Sequence, residues 1–169
     1  MCLCNPIPVY RDGEDIKVYK VVKVLRHYDI VTGEKFPYDA YRSPYNQFGQ
    51  GSLWKLDQTN AIEEDSPKFI TMFDGAKKIE WDAFHSFFHL KDAVKELKRW
   101  ERSSECEGRF APREYAVLEC VIPANTKYAY FGWFYQNDFG NPVPSYASQS
   151  LTPVKELSRE ELKAIVKNK

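Results

Sequence analysis

The run Ile16-Lys17-Val18-Tyr19-Lys20-Val21-Val22-Lys23-Val24-Leu25 is dense in β-branched and aromatic side chains, and these alternate in part with lysines. That pattern predicts a half-buried strand. Further strands are expected over 68–73, 77–81, 83–87, 114–122 and 127–134, with Asp74-Gly75 as a hairpin signal between the first two and Pro123 closing the fourth. Between them, Leu90, Ala93, Val94, Leu97 and Trp100 recur at helical spacing and predict one amphipathic helix over 89–103. A second helix is expected over 158–169. Ser158 is a natural N-cap, Glu161 completes a capping box, and Leu157 with Leu162 forms a hydrophobic staple. Strands, a helix, more strands and a terminal helix point to an α+β fold: a mainly antiparallel sheet with one central and one C-terminal helix.

The chain of 169 residues reads as a single domain, 1–169, opening with a Pro-containing arm over 1–15. There is no repeat, no low-complexity tract and no Gly/Ser-rich linker. The stretch 36–51 is rich in Pro, Tyr, Asn, Gln and Gly and is expected to be a loop, long enough to be functional or ordered by packing.

Lys plus Arg and Asp plus Glu are both 24, so the formal net charge is zero. Binding to nucleic-acid backbone is driven by a basic excess, and its absence argues against non-specific nucleic-acid binding. Charge is only mildly segregated: seven acids to three bases over 57–82, and five bases to three acids over 91–102. The start, Met-Cys-Leu-Cys-Asn-Pro, has neither the basic region nor the apolar run of a secretory signal. No window approaches the ~20 apolar residues of a membrane span. Four cysteines in a chain of this size form no disulfide framework, so reduced thiols and a cytoplasmic location are expected.

Motifs that fix a reaction are absent. The histidines are His27, His85 and His89, and the last two straddle a strand end and a helix start, so they do not form a metal-binding pair on one helix face. Cys2-x-Cys4 is spaced more tightly than a zinc ligand pair, and no metal is expected. Loss of Met1 would expose Cys2, whose α-amine could serve as base for its own thiol, although Pro6 and Pro8 interrupt the strand that such enzymes usually open with. Neither a glycine-rich phosphate loop nor a G-x-S-x-G elbow is present.

Val18-Tyr19-Lys20-Val21-Val22, Ser43-Pro44-Tyr45, Phe84-His85-Ser86-Phe87, Glu119-Cys120-Val121-Ile122-Pro123 with Thr126-Lys127-Tyr128, and Tyr146-Ala147-Ser148 together resemble a family of small uncharacterised proteins of gut bacteria and their phages. The resemblance covers most of the chain, including the Met-Cys-Leu start, and implies a bacterial or phage origin. A second resemblance, to ADP-ribosyltransferase-like folds, places Ser86 at their Ser-rich strand and Glu119 at their catalytic Glu, with NAD as the implied cofactor. Here the Ser-rich strand is Phe-His-Ser-Phe, Val117 stands two residues before the Glu, and Tyr19-Lys20 replaces the early Arg.

Aromatics make up 15% of the chain and concentrate over 36–45 and 128–139. Converging, those segments would form a cleft for a nucleotide or a protein partner. The expectation is a binding protein without catalysis or cofactor, taking a nucleotide-like ligand or a host defence protein, with Tyr19, Lys20, Tyr45, His85 and Ser86 as ligand contacts. The alternatives are an NAD-using enzyme acting through Glu119 and a structural subunit of an assembly.

Overall fold

The computed structural model describes residues 9–11, 13–25, 40–42, 54–61, 69–71, 77–79, 83–106, 114–133 and 143–167. In chain order the elements are β1 (Val9–Arg11), β2 (Ile16–Leu25), β3 (Ala40–Arg42), β4 (Asn60–Ala61), β5 (Phe69–Thr71), β6 (Lys77–Ile79), β7 (Phe84–Phe87), α1 (Leu90–Cys106), β8 (Tyr115–Ile122), β9 (Lys127–Trp133), β10 (Val143–Ser148), β11 (Ser150–Glu156) and α2 (Arg159–Lys167). Nine strands form one sheet in the order β1-β9-β10-β7-β2-β8-β11-β4, with β3 on β2; β5 and β6 pair separately. Every described pairing between strands is antiparallel. The α+β class with a mainly antiparallel sheet, a central helix and a C-terminal helix is therefore correct.

The sheet is built around β2, which pairs with β8 over eight residues from Ile16↔Ile122 to Lys23↔Tyr115. Because side chains alternate, β2 feeds two cores. Tyr19 and Val21 face α1 together with Phe87, Tyr115, Val117, Ala129 and Ala147. Val18, Val22 and Val24 face the other way with Leu118, Cys120, Ile122 and Leu151. Both helices contribute to the first core, α1 through Ala93, Val94 and Leu97 and α2 through Leu162. The second face carries no helix among the described residues. Tyr41 of β3 and Trp54, bridged to it by paired backbone hydrogen bonds of 3.0 and 2.8 Å, lie there instead. The Tyr41 hydroxyl donates to Glu156 Oε2 at 2.8 Å, which ties this layer to β11.

Four local features differ from the pattern expected. The N-terminal arm includes β1, which pairs with β9, and the loop expected over 36–51 includes β3. The first helix runs to Cys106, past its last apolar stripe residue, Trp100. Within that helix Glu96, off the apolar stripe of the amphipathic pattern, is nonetheless 1% exposed, accepts from Trp100 Nε1 at 2.9 Å and lies 3.7 Å from Arg99. The turn at Asp74-Gly75 lies outside the described residues, although β5 and β6 pair as the hairpin requires.

The capping box of α2 is fully formed. Glu161 N–H donates to Ser158 Oγ at 3.2 Å, Ser158 N–H donates to Glu161 Oε2 at 2.7 Å, and Leu157 and Leu162 are both buried. Ser158→Ala is expected to cost about 1 kcal/mol, read as a lower urea midpoint at unchanged slope.

Candidate functional site: a buried lysine and an aromatic recess

The register decides which expected site residues meet. Tyr19 lies directly opposite Glu119 on β8 and opposite Phe87 on β7, so these three share the helix-covered face. His85, two residues before Phe87 and opposite Ala147, joins them there. One step along each strand, Lys20 and Ser86 point to the opposite face. The expected set of ligand contacts is therefore split by the sheet: Tyr19 and His85 on one side, Lys20 and Ser86 on the other. Tyr45 and Cys2 lie outside the described residues.

On the helix face, Glu119 is partly buried and pairs with the more exposed Lys17 at 3.3 Å. The sheet separates it from Ser86, so the two positions carried by the ADP-ribosyltransferase resemblance do not converge. The His85 ring, likewise, is across the sheet from the Ser86 hydroxyl, which removes the geometry of an activated serine. Among the described residues, no group of three or more His, Cys, Asp or Glu is placed to hold a metal ion.

On the helix-free face, Lys20 is 6% exposed. Its ammonium donates to the His85 carbonyl at 2.6 Å and sits 4.9 Å from the centre of the Trp54 ring. No carboxylate pairs with it among the described residues. Burial therefore dominates and brings its pKa down to about 8, with the Cys120 thiolate form pulling weakly the other way. Cys120, on the same face, is pushed up to about 12, again chiefly by burial. His85 is pulled down to about 3, first by burial and then by the Lys20 charge. Beside Lys20, the Ser86 hydroxyl is buried with no hydrogen-bond partner among the described residues.

Two strands from Lys20 the same face opens into a shallow recess of about 350 Å³ lined by Phe88, Tyr128, Tyr130 and Tyr146. Tyr146 of β10 is its floor. Phe88 stands on the β7 side with ring centres 6.0 Å apart, and Tyr128 and Tyr130 stand on the β9 side at 5.6 and 5.1 Å. Sheet order builds this cup, since β10 lies between β9 and β7 and Tyr146 pairs with Tyr130 on one side and with Ser86 on the other. Phe88 is held by its N–H to the Pro144 carbonyl at 3.1 Å and by an edge contact with His89 at 4.5 Å, yet its side chain remains 43% exposed. Tyr128 and Tyr130 belong to the aromatic stretch expected to form a binding surface. Phe88 is a site residue that the sequence reading misses, although the adjacent pair Phe87-Phe88 at a strand end must send one ring to each face.

No protein-family model, no curated protein and no solved structure matches this chain.

Proposed function

We propose that the protein is a binding module without catalysis, and that the recess around Tyr146 is its ligand site. One observation carries the reading: four aromatic side chains surround an open recess, and one of them, Phe88, keeps 43% of its surface in solvent. Tyr128 and Tyr146, each 8% exposed, form the base of the recess, and Phe88 with the partly buried Tyr130 forms its accessible rim; a concave aromatic surface of this kind suits a ligand. The pairing of Glu119 with Lys17, and its separation from Ser86 by the sheet, support binding over NAD chemistry. A nucleotide-like ligand or an aromatic or cationic side chain of a host defence protein would both engage such rings. The module would then act in a bacterium or its phage, in keeping with the family resemblance.

Thermal-shift measurements with nucleosides, nucleotides, aromatic amino acids and quaternary ammonium compounds test this. A ligand present at a hundred times its Kd is expected to stabilise the fold by about 2.7 kcal/mol. The response should disappear in Phe88→Ala while the far-ultraviolet circular dichroism is unchanged. Flat melting curves across the panel, or a response that survives Phe88→Ala and Tyr130→Ala, would refute the assignment of the site.

A further inference from the structure

We infer that the recess is an aromatic cage for a methylated or quaternary ammonium group. This rests on the binding reading above and narrows it to one ligand chemistry.

The ring geometry selects the ligand. A flat base is held best between parallel faces, and none of the three surrounding rings is parallel to Tyr146, the ring at the centre. Tyr146 is tilted 40° from Phe88, 58° from Tyr130 and 74° from Tyr128. Rings that converge on one point from several directions suit a compact, roughly spherical group instead. The width suits it too. The walls rise from β7 and β9, two strand spacings apart, or about 10 Å. The Tyr146 ring centre lies 6.0 Å from Phe88 and 5.1 Å from Tyr130, so a cation would rest over that ring on the open side, within the ~6 Å over which a ring face attracts a positive charge.

Charge points the same way. The four residues lining the recess are all aromatic, so among the described residues it contains no cationic side chain to meet a phosphate or carboxylate. What it presents is aromatic surface, and a ring face carries the negative part of the ring quadrupole. Lys20 itself is on the far side of β7, turned toward Trp54. The recess opens to solvent, where physiological salt screens charges over about 8 Å.

The wall residues also show how a cage differs from a greasy dent. Phe88→Leu keeps an apolar side chain of similar size but removes the ring quadrupole. It should weaken a cation and leave a neutral ligand of the same shape unaffected.

The test is calorimetric titration of the full chain with choline and with its neutral tert-butyl isostere. Choline is expected to bind about tenfold more tightly than the isostere, and Phe88→Leu is expected to erase that difference. Phe88 and Tyr130 are the positions to vary, since Phe88 is exposed and Tyr130 only partly buried; a melting curve for each variant confirms folding. Equal affinity for choline and its isostere would overturn the cage, leaving an apolar recess and the binding reading intact. Choline failing while a nucleoside or aromatic amino acid binds would have the same meaning. No ligand of any class at the recess would end both.

Discussion

Acidification from about pH 7 to about pH 4 is expected to destabilise the protein by about 2–3 kcal/mol through His85 alone. The sign follows from the two end states. The folded pKa of about 3 lies below the ordinary value of 6.5, because burial and then the nearby Lys20 charge disfavour the imidazolium. As pH falls through 6.5 the unfolded chain takes up the proton first, so stability is complete above that value and is lost progressively toward 3. The full shift would correspond to about 5 kcal/mol, and the expected loss is smaller because the residue as a whole keeps some solvent exposure and the window stops at about pH 4. Carboxylates also titrate in this range, so the measurement is a difference. Urea midpoints of wild type and His85→Gln are compared at both pH values, and the loss on acidification should be smaller in the variant by the stated amount. Parallel losses in the two proteins would show that His85 is not the acid-sensitive group.

Side-chain parity along β2 explains which parts of this molecule could be read from its sequence. Lys17, Lys20 and Lys23 recur at intervals of three, whereas a strand alternates every two residues. Lys20 must therefore face opposite to the other two, into the side that holds Val18, Val22 and Val24. The anomaly is visible in the residue spacing alone, and it marks the one lysine of the strand that is buried. The capping box of α2 is equally legible because it is local: Ser158, Glu161 and Leu162 act within one turn. β10 and β11 are not, since Pro144 and Pro153 break the expected strand pattern. Pro144 is accommodated as the second residue of β10, and Pro153 at the register shift where β11 pairs with β8. The recess shows the sharper limit. Tyr128 and Tyr130 share a face by simple alternation, but their meeting with Tyr146 and Phe88 depends on β10 lying between β9 and β7. Nothing local to any of the three segments encodes that order.

Removing the buried ammonium is expected to abolish an alkaline rise in stability and to strengthen the fold at neutral pH. Lys20 titrates near 8 when folded and at 10.5 in the reference state, so between those values the unfolded chain holds the proton that the folded chain has released. Stability from this group therefore rises with pH across the window, by about 3 kcal/mol in full. Cys120 opposes it from about pH 9 upward, because its thiol stays protonated to about 12 in the fold while the unfolded thiol ionises at 9.0. Cys120→Ala isolates the lysine: that variant should gain stability from about pH 8 to about pH 10, and the double variant Cys120→Ala/Lys20→Met should not. At pH 7, Lys20→Met loses the ring contact with Trp54 and the hydrogen bond to the His85 carbonyl, worth about 1–3 kcal/mol. It also removes an ammonium that no acid neutralises among the described residues, and apolar replacement of a buried charge is commonly neutral or favourable. The depressed pKa already counts the contacts made to the charged form, so desolvation prevails, and a net gain of about 1–2 kcal/mol is expected. Chemical denaturation at pH 7 and pH 10 measures both effects. A Lys20→Met protein that is less stable at neutral pH, with the alkaline rise intact in the double variant, would mean that another group titrates there and that Lys20 holds the Trp54 layer in place.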